Sequence, residues 1–581
     1  MGALFSLFQK KEERAPVPFG GGILNALKNN WRGLLSFVLC IICLCALCQP
    51  FKEGKNTLIA IWLCMFVLML IRPVAVGASG LFPIFACPML GVMASVEVCS
   101  SLINENIMMF FLGGWLMLLL NNCGMDKRIA CLILSSGNKN AYTPLKLLLK
   151  CCMAAFCVSV IAERDLTTQA IMKYVIQALE PLKAVKNEAD FVELKNILCN
   201  AIAVSSLLGS MCFVHASLTT LQLRSMYSEP TVQDTEFPDV FNFLNYSAYA
   251  VPTALLMFIL NTVYEAILVN MLAANKPMSA LSTETLQKSF AKNKTDLGPM
   301  TKHEMVSTFF LVLILVCFFT RWSPWLNMGW ATFRQYGGEA PDLCAIKDAT
   351  TAAIFVVLLH FLPKSLNFLK IWTVKRHGDM PAMKVESGIL FWKFVDKNTD
   401  YSLFLVYGAG HTIYKCIFKT GLADGLPNSG GNDITGMSWY GGIFIVVLVS
   451  VIFGNIMTGM AAQACLMPLM LAMAMTGQGK WPGRRNLVAL GVGLGTGLGF
   501  CLPFEHTPSA FVSKTAKVQL KKQIMYSIAS SIICMVVLWL SLCFYAPVLW
   551  DPEDKGIVTQ VVPGGATTTT TETAAPAPPP A

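Results

Sequence analysis

The chain has 581 residues, of which 55% are hydrophobic and only 13% are charged. Because an ordinary soluble domain carries roughly 25% charged residues, this composition excludes a soluble globular protein as the default class. The net charge of +10 does not indicate nucleic-acid binding, since Lys and Arg lie in short segments between apolar blocks rather than on one basic domain.

Residues 1–32 form a predicted cytosolic N-terminal arm, because basic residues precede the first apolar block and the positive-inside rule places them in the cytosol. Later basic segments read as cytosolic loops in the same way; they are 288–302, 364–384, 480–485 and 514–522. The last span then places the C-terminus outside. Because the N-terminus is predicted to be cytosolic, the number of spans must be odd. We predict about eleven.

Apolar blocks recur along the chain and approach the roughly 20 residues needed to cross a bilayer. The blocks are 34–48, 57–71, 107–120, 147–161, 305–320, 346–362, 441–451, 470–475 and 525–545. Several are short, and interrupted spans are typical of transporters, where irregular backbone lines a cavity. The sequence therefore predicts an all-α polytopic membrane protein.

An internal repeat divides the chain into a first half, 33–300, and a second half, 301–550. A glycine-rich block at 111–114 is followed by Gly124, and a similar block at 407–410 is followed by Gly421. The stretch 167–172 matches 461–467 at nearly the same offset. Two halves with corresponding broken segments favour a substrate site at the repeat interface, although Leu- and Gly-rich helices also resemble one another by chance.

Residues 551–581 form a predicted disordered tail of Thr, Pro and Ala, which has too few apolar residues to pack a core. No nucleophile elbow, metal-ligand spacing or phosphate-binding loop occurs, so we predict no catalytic residues, no metal site and no cofactor. The alternating glycines from Gly491 to Gly499 follow no strand and favour close helix packing over a dinucleotide fingerprint.

Short motifs in a fixed order resemble the divalent-anion/sodium symporter family, the carriers of dicarboxylates, citrate and sulfate. The resemblance runs from about residue 57 to 546; it includes 81–83, 88–91, 111–129, 297–300, 319–321 with Trp330, 348–350, 391–393 and 502–510. It implies a plasma-membrane homodimer in contact with lipid, with two inverted repeats, two re-entrant hairpins, and scaffold and transport domains that move as an elevator. Its partner would be a small anionic substrate and not nucleic acid.

The family builds its site from two Ser-Asn-Thr motifs at hairpin tips and from paired unwound segments. The corresponding positions here are 163–165, followed by a Thr pair, and 458–460; the unwound segments fall near 215–220 and 503–509. We predict as substrate-binding residues Arg164, Thr167, Thr168, Thr458, Thr507 and Ser509. Candidates for a coupling ion or proton are Glu163, Asp165, Ser217, Thr219, Thr220, Glu505 and His506.

Both Ser-Asn-Thr motifs are absent, and neither Leu218 nor Met460 can give a side-chain oxygen to sodium. We therefore expect weakened or absent sodium coupling. Arg164 would act as a fixed cation that pairs with a carboxylate or sulfate. In a second version, Glu163, Asp165, Glu505 and His506 instead take up protons. Alternatively, the charges at 163–165 form an internal ion-pair network or lie at the membrane surface, and the hydroxyls bond helix carbonyls.

Two hypotheses follow. The first is a secondary transporter of small divalent organic anions (di- and tricarboxylates) or of sulfate. The second is a carrier-derived sensor or scaffold that keeps the fold without transport. The lost motifs favour the second hypothesis, while Arg164 and the retained hydroxyls favour the first.

Overall fold

The computed structural model describes residues 19–550 except 51, 53, 104, 137–142, 182–187, 228–240, 275–282, 322–328, 332–345, 347, 366, 373, 377, 379–384, 426–437, 477–483 and 505. Regular structure in these residues is helical, with one isolated bridge between Pro363 and Gly388. The predicted cytosolic N-terminus and external C-terminus lie outside them. The predicted arm overlaps the first helix, which begins at Phe19.

The first half contains thirteen helices in the described residues. They are α1 (Phe19–Leu47), α2 (Gly54–Ile71), α3 (Val76–Ser79), α4 (Phe82–Met89), α5 (Ser95–Ser100), α6 (Glu105–Cys123), α7 (Met125–Ser135), α8 (Pro144–Ile161), α9 (Arg164–Leu179), α10 (Glu188–Gly209), α11 (Leu218–Tyr227), α12 (Phe243–Ala274) and α13 (Thr283–Asp296). A 3-10 turn, Val214–Ala216, lies between α10 and α11.

The second half adds eleven helices to the described fold. They are α14 (Lys302–Thr320), α15 (Asp348–Phe361), α16 (Trp392–Asn398), α17 (Ser402–Lys419), α18 (Leu422–Gly425), α19 (Trp439–Gly454), α20 (Gly459–Thr476), α21 (Arg485–Gly495), α22 (Thr507–Lys514), α23 (Leu520–Leu540) and α24 (Ala546–Leu549). A 3-10 helix covers Asn367–Trp372, a 3-10 turn covers Thr496–Leu498, and a π-turn covers Ser541–Tyr545.

Seven helices in the described residues are long and apolar enough to cross a membrane, or eight if the bent pair α6 and α7 forms one span. Four shorter apolar segments accompany them: Val76–Met89, Asp348–Phe361, Trp439–Gly454 and Gly459–Ala474. The prediction of a polytopic all-α membrane protein is thus confirmed at this level. The count of eleven spans stays a prediction.

The repeat found in the sequence corresponds to the same backbone feature in both halves. Gly124 follows α6 with φ of 84°, and Gly421 follows α17 with φ of 66°. This left-handed conformation is open to glycine at no steric cost, which explains why both glycines end a helix. At Gly124 the chain turns by 62° into α7.

Each half also contains a helix pair followed by a broken helix. In the first half α8 turns into α9 at Ala162 and Glu163, and α10 continues into α11 through the 3-10 turn. In the second half α19 turns into α20 at 455–458, and α21 continues into α22 through a 3-10 turn and extended residues. The predicted correspondence of interrupted segments is therefore present in the fold. Re-entrance and an elevator motion remain predictions.

Glycines let these helices approach closely. A Cβ on Gly209 would lie 2.4 Å from the Phe156 carbonyl oxygen, so α10 and α8 pack backbone to backbone. A Cβ on Gly493 would lie 2.8 Å from Leu223 Cβ. The predicted packing role of the alternating glycines is thus confirmed, as expected for helix contacts in a bilayer.

The two halves interlock around the broken helices. Helix α11 packs against α20 and α21, while α9 and α10 pack against α22. This packing brings four features to one region at the interface of the repeats. They are the turns of both helix pairs and the breaks of both broken helices.

Candidate functional site

Arg164 begins helix α9, and its guanidinium reaches the broken helix beside it. The carboxylate of Glu163 caps α9 by accepting a hydrogen bond from the Leu166 amide at 2.8 Å. Arg164 Nη1 donates to Ser217 Oγ at 3.0 Å and to Ser210 Oγ at 3.3 Å. The positive charge is therefore held by two serines that flank the break between α10 and α11.

Asp165 partly balances this charge. Its Oδ1 lies 3.4 Å from Arg164 Nε, and the two side chains are 29% and 13% exposed. Arg164 and Asp165 thus form a half-buried ion pair, as in the alternative interpretation of an internal ion-pair network. Arg164 also contacts Ser210 and Ser217 outside that pair. Glu163 serves as a helix cap in this structure.

Hydroxyls of the first broken helix continue from Arg164 toward the second half. Ser217 Oγ and Thr219 Oγ1 are 2.8 Å apart. Thr219 Oγ1 lies 3.8 Å from the position that a Cβ on Gly497 would occupy. These two predicted residues therefore lie between Arg164 and the break of the second broken helix.

His506 brings the second helix pair to the same place. It is the N-cap residue of α22, is 6% exposed, and interacts electrostatically with Arg164. Its ring faces the first residue of α20, because a Cβ on Gly459 would lie 2.6 Å from His506 Cε1 and 2.9 Å from the Thr496 carbonyl oxygen. Only glycine fits Gly459 without moving the histidine or the backbone.

Thr458 precedes this glycine, and its Oγ1 is buried without a hydrogen-bond partner among the described residues. Its neighbour Met460 is buried and accepts a bond from Gln222 Nε2 at 3.4 Å through its carbonyl. The turn of the second helix pair thus offers one unpaired hydroxyl beside His506.

Other predicted residues bond to the protein itself. Thr167 accepts from Asn121 Nδ2 at 3.3 Å. Thr168 donates toward the Arg164 carbonyl at 2.7 Å and lies 2.6 Å from Ser206 Oγ. Thr220 lies within 2.7 Å of two carbonyls of its own turn. For Thr168 and Thr220 the structure fits the alternative interpretation, in which hydroxyls bond helix carbonyls, whereas Thr167 bonds a side-chain amide.

The remaining predicted residues are more distant or cannot be placed. Thr507 is exposed at the start of α22, and Ser509 is buried with its carbonyl accepting from Gln523 Nε2 at 3.0 Å. Glu505 lies outside the described residues. Ser210 was missed by sequence reasoning, although its spacing of four from Ser206 gave a signal for a polar face on α10.

Four helices begin in this cluster: α9 at Arg164, α11 at Leu218, α20 at Gly459 and α22 at Thr507. Helix N-termini carry partial positive charge and unpaired N–H groups, so they favour anions. Together with the Arg164 guanidinium, they form an electropositive region between the two halves. The arrangement is suited to an anion with two or more oxygens.

Comparison with known proteins agrees with this geometry. A sequence model of the family described as "Sodium:sulfate symporter transmembrane region" matches residues 27–550. The chain is 25% identical over 559 residues to "Protein I'm not dead yet" of Drosophila melanogaster, covering 89% of this chain and 88% of that protein.

Human relatives match as well. The chain is 21% identical over 528 residues to "Solute carrier family 13 member 2", covering 80% of this chain and 83% of the relative. It is 21% identical over 369 residues to "Solute carrier family 13 member 1", covering 61% and 58%. The chain therefore belongs to the sodium:sulfate symporter family and is a multi-pass membrane protein, an anion transporter rather than an enzyme.

Proposed function

We propose that the protein is a secondary transporter of small divalent organic anions (di- and tricarboxylates) or of sulfate, with weakened or absent sodium coupling. Its substrate site is the cluster of Arg164, Ser217, Thr219, Thr458 and His506 at the interface of the repeats. The description of its family as sodium:sulfate symporters supports an anion as cargo. A homodimer in the plasma membrane that works as an elevator is part of the same proposal.

One observation carries the proposal: Arg164 starts α9 while donating to two serines of the neighbouring broken helix. A guanidinium held in this way offers planar, charge-assisted hydrogen bonds that match carboxylate or sulfate oxygens. Because the cation is covalently part of the protein, it would offset part of the charge of a bound anion without bound sodium.

Residues at the break of the first broken helix and at the turn of the second helix pair support weak sodium coupling. Sodium sites in transporters are built from unwound carbonyls and small oxygen-bearing side chains. Here Leu218 follows the break of the first broken helix and Met460 follows the turn of the second helix pair, and the ring of His506 fills the space beside Gly459. Several oxygens that could hold a cation are instead bonded to helix ends, as in Thr168 and Thr220.

The test is uptake of radiolabelled succinate, citrate and sulfate by cells that express the full chain. Uptake is measured with sodium, with choline in its place, and at acid pH, and surface expression is quantified by biotinylation. We expect uptake of at least one dianion that persists in choline. Uptake that requires sodium would contradict the proposed weak coupling.

Two variants sharpen the test. Arg164→Ala removes the fixed cation and should abolish most uptake, since a charge-assisted hydrogen bond contributes about 1.5–3 kcal/mol. Glu97→Gln changes an exposed residue that pairs with Lys419 and should leave uptake unchanged. If the wild-type protein reaches the surface and carries none of the anions, the carrier-derived sensor or scaffold becomes the better hypothesis.

A further inference from the structure

A second group of buried polar side chains lies between α10, α12 and α23, three helices that pack on one another. Each helix contributes two polar residues four positions apart, a spacing that places both on one face. The six residues, which we call the polar seam, are Asn196 and Asn200, Asn261 and Glu265, and Gln523 and Ser527. All of them are buried, with at most 3% exposure.

Glu265 is the only charged residue from Phe243 to Met271, the membrane-crossing part of α12. Its exposure is 0%. Its Oε1 accepts a hydrogen bond from Asn200 Nδ2 at 3.2 Å, and Asn200 Oδ1 accepts one from Ser527 Oγ at 2.8 Å. Its Oε2 has no hydrogen-bond partner among the described residues, and neither has the amide of Asn261 one turn earlier.

No basic side chain among the described residues interacts with the Glu265 carboxyl. The titratable groups that do are Cys152 on α8, Tyr264 on α12 itself and Tyr526 on α23. The described parts of α14 and α24 bring no charged group to it, and His215 lies against Phe243 at the other end of α12. An ionised carboxylate without a counter-charge is costly at this depth, so the position favours a Glu265 carboxyl whose charge is neutralised, by a proton or by another cation.

The polar seam reaches the protein surface at one end. Glu193 lies on α10 one turn before Asn196, accepts a hydrogen bond from the Tyr526 hydroxyl and pairs with Lys522. The Lys522 side chain is 38% exposed. At the other end of α10, Ser206 contacts Thr168 and Ser210 accepts from Arg164. One helix therefore connects the surface, Glu265 and the proposed substrate site.

We propose that Glu265 is a proton-binding site, at which the carboxylate takes up one proton, becomes a neutral carboxylic acid and releases the proton again during each transport cycle. This inference rests on the proposed transport function. Polar residues also hold membrane helices together, but an amide at position 265 would accept the Asn200 hydrogen bond equally well. A role in holding the helices together therefore does not explain why residue 265 has a carboxyl group.

The first experiment measures uptake into vesicles that contain the purified full-length protein, with an inward proton gradient or none. A gradient of one pH unit gives about a tenfold driving force for one proton, so wild-type uptake should rise several-fold. In Glu265→Gln the ratio of uptake with and without the gradient should fall close to unity. Glu265→Asp keeps a carboxyl and should keep a response, and Glu97→Gln should match the wild type.

Three results would overturn the proposal while leaving transport intact. Wild-type uptake that ignores the proton gradient is one. A response of the same size in Glu265→Gln is another. The third is a sodium-driven component that Glu265→Gln alone removes, which would assign the carboxylate to sodium.

A second measurement does not depend on transport and also decides the case in which no anion is carried. Infrared difference spectra of the purified protein, recorded across pH, should show the carbonyl band of a protonated carboxylic acid that titrates and is lost in Glu265→Gln. Absence of such a band from the wild type would overturn the proposal. Since the glutamine retains the Asn200 contact, thermal unfolding should show that the variant is folded.

Discussion

Arg164 begins α9 and Ser217 lies at the break between α10 and α11, yet Arg164 Nη1 lies 3.0 Å from Ser217 Oγ. The guanidinium therefore takes its position from the broken helix α10–α11 rather than from the helix that it begins. A long side chain held in this way loses less freedom when an anion binds. Movement at the break between α10 and α11 would displace the Arg164 guanidinium, and the affinity for a bound anion would then change.

Ser217→Ala should weaken anion binding without removing the charge. Arg164 would keep its contact with Ser210 but lose the shorter hydrogen bond, and a single bond of this kind contributes about 0.5–1.5 kcal/mol. We expect KM for the transported anion to rise by roughly two- to tenfold. The measurement is concentration-dependent uptake, with Ser135→Ala as the matched control, because that hydroxyl bonds only within its own helix. An unchanged KM would show that Ser217 does not position the cation.

Asp165→Asn should have the opposite effect. The Asp165 carboxylate lies 3.4 Å from Arg164 Nε and competes with a substrate anion for the same charge. Because the pair is partly exposed, its contribution is about 0.2–1 kcal/mol, so KM should fall by up to about fivefold. Competition of unlabelled anion against labelled anion in cells measures this change. A higher KM would mean that Asp165 orients Arg164 rather than competing for it.

Gly459→Ala should impair transport by steric conflict with His506. The added Cβ would lie 2.6 Å from His506 Cε1, and overpacking of this kind costs about 1–3 kcal/mol. In a His506→Ala background the ring is absent, so Gly459→Ala should lower uptake by a smaller factor there than in the wild type. Additive losses in the double variant would show that the conflict is with the Thr496 backbone instead. Gly33→Ala, whose Cβ meets nothing within 4 Å, is the control.

Asp348→Asn should destabilise the fold far more than a surface substitution. Asp348 is 2% exposed and pairs with Arg224 of α11 and with Arg321 at the end of α14. Loss of one partner of a buried ion pair costs about 3–5 kcal/mol because the remaining charge is left uncompensated. Thermal unfolding in detergent should show a lower Tm for Asp348→Asn and little change for Glu97→Gln, whose pair with Lys419 is exposed. Equal Tm values would show that the buried network does not stabilise the fold.

Local chemistry made much of the fold predictable from the sequence. Gly124 and Gly421 end helices in both halves because they adopt positive φ at no steric cost, and this is visible as a repeat of glycines. The start of α14 also has a local sequence signature, since Thr301 and Glu304 form a reciprocal capping box at the predicted boundary of the halves. The motif at 297–300 is held by Arg128, which donates to the carbonyls of Leu297, Gly298 and Pro299.

The partners of polar side chains were decided by tertiary structure alone. The sequence placed Thr168, Ser217 and Thr220 near the site, but only packing determined that Thr168 and Thr220 bond helix carbonyls while Ser217 meets Arg164. Glu265 escaped notice in the sequence because a single carboxylate in an apolar helix has no local signature beyond its charge. The role that we propose for Glu265 depends on its hydrogen-bonded neighbours Asn200 and Ser527, which come from two helices distant in sequence. Composition, helix ends and glycine positions follow from neighbours along the chain, whereas a buried polar contact depends on which helices pack together.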